Sequence, residues 1–465
     1  MQGLGGLVHL NKDKVTAFAT VIQGIIQMKI GLISPKGNFW GNNRYFQKYW
    51  HNNPDSASQR SYWTGLSSGL LVIAALTPEK YEVELADENL DVVDFEKDYK
   101  LVGISCMTQQ ATRAYEIADE YRRRGKKVVL GGIHPTVMPD EAKLHADSVV
   151  IGEVEYLWGK ILVDFENNRL QDFYRAEKLV NMKDSPVPRF DLLDPKKYSS
   201  IWIQTSRGCP HNCNFCAASK VYGKKYREKS NEQIIGELQY CMKVFKNSRY
   251  YFSDDNFFVN KRKKYELLEK MLPLKIRWGA TTDISIAEHE ELLELAYKSG
   301  CNTVLIGFES LSGANLESID KAKWKFNYRE KYQEYIQKIQ SYGIGILGAF
   351  IVGFDGDDSS AFDSIAEFIN ETHLYGAQVM ILTPFPGTDL RDTLEKEGRI
   401  TGNNWSNYTA FDVNYLPGKL SKDELERGVV QIFQRITQKE NFMKNMEYFK
   451  NIHRSLQKKY KKEIS

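Results

Sequence analysis

The strongest constraint on the fold is an alternation of short β-branched runs with helical patterns along most of the chain. The 465-residue sequence shows this rhythm from Met28 onwards, and it is typical of parallel α/β structure. In the first block, strands are predicted at residues 29–33, 82–86, 101–105, 127–131 and 148–151. A helix is predicted over residues 111–124, because Gly125 supplies a helix stop. The block therefore predicts a doubly wound α/β domain, whose ligand crevice lies beyond the carboxyl ends of the strands.

A second block of the same rhythm follows a proline-containing linker. The segment Asp184-Ser-Pro-Val-Pro-Arg-Phe190 has two prolines in three residues, which is typical of a boundary. Strands are predicted beyond it at residues 200–204, 250–253, 277–281, 303–307, 344–352 and 378–382. Six strand and helix units in succession predict a partial or full βα barrel of the TIM type. Its active site should face the carboxyl ends of the strands.

These patterns divide the chain into five segments. Residues 1–27 are predicted to be an N-terminal extension, 28–183 the doubly wound domain, 184–198 the linker, 199–400 the barrel, and 401–465 a helix-rich C-terminal region. Met28 opens a clean buried-strand pattern, so it could also be an alternative start of translation.

Composition and charge exclude several classes of protein. Apolar residues are 42% and charged residues 26% of the chain, which is ordinary globular usage rather than that of a disordered or collagen-like chain. There are 63 Lys and Arg against 60 Asp and Glu, a net charge of +3. So small a surplus gives no overall field for a nucleic acid, and no nucleic-acid partner is expected. No run reaches the roughly 20 apolar residues that a transmembrane helix needs, so no transmembrane segment is expected.

Three of the six cysteines stand within eight residues, directly after the first predicted barrel strand. The loop Arg207-Gly-Cys-Pro-His-Asn-Cys-Asn-Phe-Cys216 has the spacing Cys-x-x-x-Cys-x-x-Cys. Thiolates of Cys209, Cys213 and Cys216 could bind three irons of a cubane cluster and leave the fourth iron without a protein ligand. The alternative is a zinc site with His211 as fourth ligand, although structural zinc sites normally join two separated cysteine pairs. Clustered metal-binding cysteines indicate a reducing compartment, and we expect a cytoplasmic protein.

The cysteine loop, with Phe215 before its third cysteine and its place after a barrel strand, resembles that of the radical S-adenosylmethionine superfamily. The resemblance implies a [4Fe–4S] cluster whose fourth iron is chelated by S-adenosylmethionine. It also implies reductive cleavage of S-adenosylmethionine to methionine and a 5′-deoxyadenosyl radical. The cofactors would supply the radical chemistry, and the protein would supply orientation and a dry cavity. A low-potential electron donor such as flavodoxin or ferredoxin is the implied partner.

The same resemblance assigns residues to S-adenosylmethionine. The segment Ser253-Asp-Asp-Asn-Phe257 ends the second barrel strand, where the family presents polar side chains to the amino group. Asp254 or Asp255 is therefore expected to pair with that group, the alternative being a helix cap. Glu309, at the end of the fourth barrel strand, is expected to hydrogen-bond the ribose. Phe215 is expected to lie against the adenine.

The first block resembles the Rossmann-like, cobalamin-binding domain of one radical subclass, which includes methylases of unactivated carbon and an anaerobic porphyrin-ring cyclase. The resemblance covers residues from about 28 to 440. The residues expected at cobalamin lie near the predicted strand ends: Ser105, Thr108, Gly131, Gly132, His134, Gly152 and Glu153. For the glycines, the alternative is an ordinary turn. An Asp-x-His-x-x-Gly motif, which supplies an axial histidine to cobalt, is absent after the first strand, and His134 is not expected to replace it.

Together these resemblances predict a radical enzyme that methylates an unactivated carbon of a small-molecule or lipid substrate with cobalamin. One alternative is a cyclisation or rearrangement without methyl transfer. Another is a non-catalytic iron–sulfur or zinc protein, which fails to explain why carboxylates follow the cysteine loop at successive strand ends. No catalytic side chain beyond the cluster ligands is predicted.

Overall fold

The computed structural model describes residues 28–464, apart from residues 39–40, 53–64, 67, 199 and 247–248. The predicted extension over residues 1–27 lies outside the described residues. The strands are β1 (Met28–Ser34), β2 (Tyr81–Asp87), β3 (Tyr99–Ser105), β4 (Lys127–Gly131), β5 (Ser148–Ile151), β6 (Phe173–Arg175), β7 (Ser200–Ile203), β8 (Ser206–Arg207), β9 (Arg227–Glu228), β10 (Arg249–Phe252), β11 (Arg277–Thr282), β12 (Cys301–Glu309), β13 (Gly345–Val352) and β14 (Gly376–Ile381).

Helices follow most of these strands. They are α1 (Arg44–Asn52), α2 (Ser68–Leu76), α3 (Ala111–Arg123), α4 (Ile133–Val137), α5 (Pro139–His145), α6 (Trp158–Glu166), α7 (Ala218–Val221), α8 (Asn231–Val244), α9 (Lys261–Met271), α10 (Glu290–Lys298), α11 (Gly313–Ile319), α12 (Trp324–Tyr328), α13 (Tyr332–Ser341), α14 (Ser360–Glu371), α15 (Asp389–Lys396), α16 (Lys422–Ile436) and α17 (Lys439–Ile464). The predicted helix over residues 111–124 is confirmed as α3, and Gly125 follows it with φ +73°.

The first sheet is the predicted doubly wound one. Its order is β2-β1-β3-β4-β5-β6, and every neighbouring pair is parallel. The central strands are buried on both faces, so their sequences are nearly continuous apolar runs, as in Leu101, Val102 and Ile104 of β3. The sequence did not predict β6, which has three residues of which only Tyr174 is buried.

The second sheet is a partial barrel. Its order is β7-β10-β11-β12-β13-β14, all parallel and in chain order. Within the described residues, β7 and β14 each pair with one neighbour, so the barrel is open between them. The largest apolar core lies against this sheet and includes the fully buried Trp278, Phe252 and Phe257. Of the two forms predicted, partial and full, the partial barrel is confirmed.

A short ribbon and an irregular C-terminal segment complete the fold. Strands β8 and β9 pair antiparallel, with Ser206 opposite Glu228 and Arg207 opposite Arg227. The helix-rich C-terminal prediction holds from α16 onwards, whereas residues 401–421 are largely irregular. In that segment Trp405 joins the apolar core of the first domain.

Two further features concern packing and membranes. The three cysteines outside the loop, Cys106, Cys241 and Cys301, are all buried in apolar cores. In the described part of the chain, no helix is long and apolar enough to cross a membrane.

Candidate active site

The carboxyl ends of the two parallel sheets face each other. Helix α4 begins after the Gly131-Gly132 turn that ends β4, and it packs against α7, which begins just after Cys216. Gly387, which follows β14, also lies close to Val137 of α4. The turns of the first domain and the cysteine loop therefore border one shared site.

The cysteine loop has a fixed backbone. Gly208 begins it with φ +86°, and a Cβ at this position would lie 2.5 Å from the carbonyl oxygen of Lys225. The backbone N–H of Asn214 donates to the carbonyl of Ile319 at 2.9 Å, and the N–H of Leu390 donates to the carbonyl of Asn214 at 3.0 Å. These contacts join the loop to α11 and α15, the helices that follow β12 and β14.

The three loop thiols are arranged so that each could bind a different iron of one cluster. Burial raises the pKa of Cys209 to about 11 and that of Cys213 to about 12, so these thiols ionise when a metal compensates the charge. Among the described residues, no three His, Cys, Asp or Glu side chains converge to hold one metal ion. A cubane cluster needs no such convergence, because each thiolate binds a different iron.

His211, the proposed fourth ligand of a zinc site, is engaged elsewhere. Its Nε2 lies 3.3 Å from Oδ2 of Asp283, and its ring centroid lies 4.4 Å from that of Trp324. Asp283 also accepts hydrogen bonds from Asn256 and from the backbone N–H of Ser285. His211 therefore packs against residues beside the loop. The metal ligands that remain in the loop are its three cysteines.

The two neighbouring aspartates after β10 have different environments. Asp254 is buried and accepts the backbone N–H groups of Thr205 and Ser206 at 2.6 and 2.8 Å, together with the hydroxyl of Thr205. Lys264 donates to the same hydroxyl at 2.9 Å. Asp254 therefore fixes the turn between β7 and β8, and neither a helix cap nor a free carboxylate oxygen is found there.

Asp255 is the carboxylate that borders the cysteine loop. Its Oδ2 accepts the backbone N–H of Gly208 at 3.2 Å. Burial, and then the negative charge of Asp254, raise the pKa of Asp255 to about 6. An ammonium group beside Asp255 would stabilise its ionised form and lower this pKa. The expected contact of Asp255 with the amino group of S-adenosylmethionine therefore stays a prediction.

Glu309 ends β12 in a strained conformation and forms a buried ion pair. Its φ is +65°, and its Oε1 lies 3.0 Å from Nζ of Lys325. Lys325 also donates to the carbonyl of Gly307, and its charge opposes the rise that burial causes in the pKa of Cys213. The sequence did not single out Lys325, because nothing in its local pattern distinguishes it from a surface lysine.

Phe215 is half-buried against the main core. The roles of Glu309 at the ribose and Phe215 at the adenine stay predictions.

Four of the residues predicted at cobalamin line the carboxyl edge of the first sheet. Ser105, Gly131, Gly132 and Gly152 are partly exposed at the ends of β3, β4 and β5. Gly132 has φ +102°, and a Cβ there would lie 2.7 Å from the carbonyl oxygen of Cys106. An edge of small residues lets a ligand approach the backbone closely. This edge is therefore suited to a large cofactor such as cobalamin.

The other three residues predicted at cobalamin are buried. Thr108 is 3% exposed, Glu153 is 6% exposed and His134 is 0% exposed. The His134 ring lies 4.9 Å from that of Trp405, and its Nε2 lies 3.6 Å from Oε1 of Glu141. Only His134 has no accessible surface, and the expected contact of these three residues with cobalamin stays a prediction.

Two family models match the chain. The B12 binding domain matches residues 64–160, and the Radical SAM superfamily matches residues 203–369. The first match covers strands β2 to β5, and the second covers β10 to β13 with the cysteine loop. Both matches therefore include the edges that form the site.

Curated relatives and solved structures agree with these models. Bacteriochlorophyllide d C-8(2)-methyltransferase of Chlorobaculum tepidum is 35% identical over 355 residues, which are 73% of this chain and 78% of that protein. The C-12(1)-methyltransferase of the same organism is 33% identical over 390 residues, 81% of this chain and 84% of that protein. The radical S-adenosylmethionine methyltransferase TsrM of Kitasatospora setae, with cobalamin and a [4Fe–4S] cluster bound, has the same fold, with a TM-score of 0.66 at 15% identity over 88% of this chain and 89% of that chain.

The fold and the site define a radical S-adenosylmethionine enzyme with a cobalamin-binding domain. The chain belongs to the cobalamin-dependent methyltransferases of that superfamily, and its cofactors are a [4Fe–4S] cluster, S-adenosylmethionine and cobalamin. The predicted fold class, cofactors and methyltransferase activity are thus confirmed, and the alternative of a non-catalytic metal protein is wrong.

Proposed function

We propose that this enzyme methylates an unactivated carbon of a small-molecule or lipid substrate held between the carboxyl edge of the first sheet and the cysteine loop. The observation that carries the proposal is the contact of α4 with α7, because it brings the two edges to one site. When bound, the cluster supplies the electron that cleaves S-adenosylmethionine, and cobalamin carries the methyl group. The chain supplies the positions of these groups and excludes water from the space between them.

Each cofactor has its own set of residues in this proposal. Cys209, Cys213 and Cys216 bind three irons. Asp255 pairs with the ammonium group of S-adenosylmethionine, Glu309 binds its ribose, and Phe215 lies against its adenine. Lys325 holds the carboxylate of Glu309 at 3.0 Å and so fixes its direction. Ser105, Gly131, Gly132 and Gly152 form the surface that receives cobalamin.

The relatives suggest which substrate to test first. The two curated relatives described above are named as methyltransferases of bacteriochlorophyllide d. A tetrapyrrole is therefore the first candidate, and other small molecules and lipids follow it. The electron donor in this proposal is a flavodoxin or ferredoxin. The compartment is the cytoplasm, since free loop thiols need reducing surroundings.

The test uses the full chain reconstituted without oxygen with iron, sulfide and hydroxocobalamin. The loaded enzyme is incubated with a chemical reductant, bacteriochlorophyllide d and S-adenosylmethionine that carries a deuterated methyl group. We expect 5′-deoxyadenosine, and a substrate in which one deuterated methyl replaces one hydrogen. Cys213→Ala should abolish both products, whereas Cys241→Ala, a buried cysteine outside the loop, should retain them.

The outcomes separate the parts of the proposal. A loaded enzyme that makes 5′-deoxyadenosine but leaves the tetrapyrrole unlabelled would exclude that substrate class and move the search to lipids. A cluster-replete enzyme that makes no 5′-deoxyadenosine, or a chain that does not retain hydroxocobalamin on gel filtration, would contradict the proposed roles of the two edges.

A further inference from the structure

Two arginines face each other at the base of the cysteine loop. Arg207 lies in β8, two residues before Cys209, and Arg227 lies directly opposite it in β9. Their side chains are only 7% and 8% exposed. Like charges directly opposite in an antiparallel pair repel each other, so this ribbon cannot close without a compensating anion.

The compensating anions come from the cobalamin-binding domain. Glu153 accepts from Nη1 of Arg207 at 2.9 Å with one oxygen and from Nη1 of Arg227 at 2.8 Å with the other. Nη2 of Arg207 also lies 2.7 Å from Oε1 of Glu155. The glutamate side chains are 2% and 3% exposed, so two buried cations are matched by two buried anions. Buried charges of this kind are stable only in pairs, and removing one leaves its partner uncompensated.

The network is built into both domains. Glu153 follows Gly152, at the carboxyl end of β5, and its second oxygen also accepts the backbone N–H of Val180 at 2.7 Å. Arg227 donates to the carbonyl of Val180 at 2.7 Å and to that of Tyr222 at 2.9 Å. A displacement of the β5 edge would therefore move the two arginines that bracket the cysteine loop.

We propose that Glu153 and Glu155 are positioning residues that hold the cysteine loop in its cluster-binding conformation. Their carboxylates bind Arg207 and Arg227, and they act on the loop through these two side chains. The cobalamin-binding domain then has a second role besides receiving its cofactor, because it completes the loop that binds the cluster.

The first test measures the order of the loop in the cofactor-free full chain. The six cysteines are alkylated with iodoacetamide, and the rate at each is followed by peptide mass spectrometry. In Glu153→Gln and Glu155→Gln, we expect Cys209, Cys213 and Cys216 to react about fivefold faster or more, because local opening of the loop exposes them. Cys241 and Cys301, which are buried in the barrel core, should keep their wild-type rates. Asp164→Asn is the matched control, since Asp164 is a buried carboxylate of the same domain, bound by Tyr174 at 2.9 Å and Arg169 at 3.1 Å.

The second test is a spectroscopic signature that general destabilisation would not move. The reduced, reconstituted cluster is examined by electron paramagnetic resonance with and without S-adenosylmethionine. We expect Glu155→Gln to change the spectrum of the complex with S-adenosylmethionine, and Glu155→Asp, which keeps the charge, to restore it at least in part. Asp164→Asn should give the wild-type spectrum even if it lowers the melting temperature.

The results that overturn the proposal are specific. Wild-type alkylation rates at the three loop cysteines in both glutamine variants would do so. So would equal acceleration at Cys241 and Cys301, which would report loosening of the whole chain. If Glu153→Gln does not fold, Glu155→Gln decides the question, because it leaves both pairs of Glu153 in place. The alkylation rates need neither cofactor nor substrate, so a failure here leaves the proposed methyl transfer standing.

Discussion

Gly208 shows how a single residue without a side chain determines the backbone conformation at the start of the cysteine loop. Its φ of +86° is unfavourable for any residue with a Cβ, and a Cβ there would lie 2.5 Å from the carbonyl oxygen of Lys225. Gly223, in the same ribbon region, has a similar φ of +75°, but its nearest neighbour is Cδ1 of Leu179 at 3.5 Å. Substitutions at these two glycines therefore distinguish two contributions to the free energy of unfolding. One is the cost of a left-handed backbone, and the other is the cost of steric overlap.

The corresponding prediction compares Gly208→Ala with Gly223→Ala. Both variants should lose about 1–2 kcal/mol of unfolding free energy through the left-handed conformation. Gly208→Ala should lose about 1–3 kcal/mol more through overlap with backbone atoms, and should retain little iron after reconstitution. Urea unfolding and iron analysis measure both effects. Equal losses in the two variants would show that the overlap is relieved at no cost.

Prediction from sequence succeeds or fails residue by residue for physical reasons. The three loop cysteines could be proposed as cluster ligands from the sequence because that proposal depends only on spacing within one short loop. The different environments of Asp254 and Asp255 could not be predicted, because they depend on the bonds of Asp254 to Thr205, which lies in the turn between β7 and β8. Lys325 was not identified from the sequence because its partner Glu309 is far from it along the chain. Glu309 ends β12, and α11 lies between the two residues.

At the scale of elements, length decides what the sequence can show. The eight-residue strand β13 is buried along nearly its whole length and has a continuous apolar run, which is typical of a strand in a parallel sheet. The two-residue strands β8 and β9 have no period to detect, and their pairing depends on the closure of the loop between them. The ribbon of β8 and β9, like the three-residue strand β6, was therefore not predicted from the sequence.

The ion pair that joins the end of β2 to α3 predicts how the stability of the fold depends on pH. Glu88, just after β2, accepts from Nε of Arg113 at 2.9 and 3.0 Å and from the backbone N–H of Lys36 at 3.0 Å. Burial alone would raise the pKa of Glu88, but the bonds from Arg113 and Lys36 outweigh it and hold that pKa below its ordinary value. A lowered folded pKa means that ionised Glu88 stabilises the fold above the ordinary value of about 4.3, and that this stability is lost as the pH falls through the folded value.

Glu88→Gln should therefore lose about 1.5–3 kcal/mol of unfolding free energy at pH 7, the range for hydrogen bonds to charged groups. The difference from wild type should shrink as the pH falls below about 4, since the wild-type carboxylate then protonates. Urea unfolding at several pH values measures it. Glu116→Gln is the control, because Glu116 is an exposed partner of the same arginine and should cost less than about 1 kcal/mol. A difference that stays constant with pH would contradict the assigned pairing.

At the scale of the whole molecule, each sheet was predictable but their arrangement was not. Each sheet follows from local periodicity and short connections. The contacts that join them link residues far apart in the sequence, as in the pair of Glu153 with Arg207 and the bond from Trp405 to Glu141. Trp405 belongs to the C-terminal region, which also packs on the barrel through α16 and α14. The C-terminal region therefore joins the two domains rather than forming a separate unit.

Trp405 gives a test of this joining role. Its ring is 4% exposed and lies 4.9 Å from the rings of both His134 and Tyr408, and its Nε1 donates to Oε1 of Glu141 at 2.6 Å. Trp405→Ala should lose about 3–5 kcal/mol through the cavity it leaves. Trp405→Phe, which retains most of the packing but not the indole N–H, should lose about 1.5–3 kcal/mol.

The same variants should affect cobalamin before they affect the cluster. His134 lies in α4, two residues after Gly132 of the proposed cobalamin surface, so we expect loss of the tryptophan ring to loosen the start of this helix. Hydroxocobalamin titrations followed by visible absorption should show weaker binding in Trp405→Ala than in Trp405→Phe, with iron content after reconstitution close to wild type in both. Loss of iron with unchanged cobalamin affinity would instead place the effect of Trp405 on the barrel, and would contradict its assignment to the first domain.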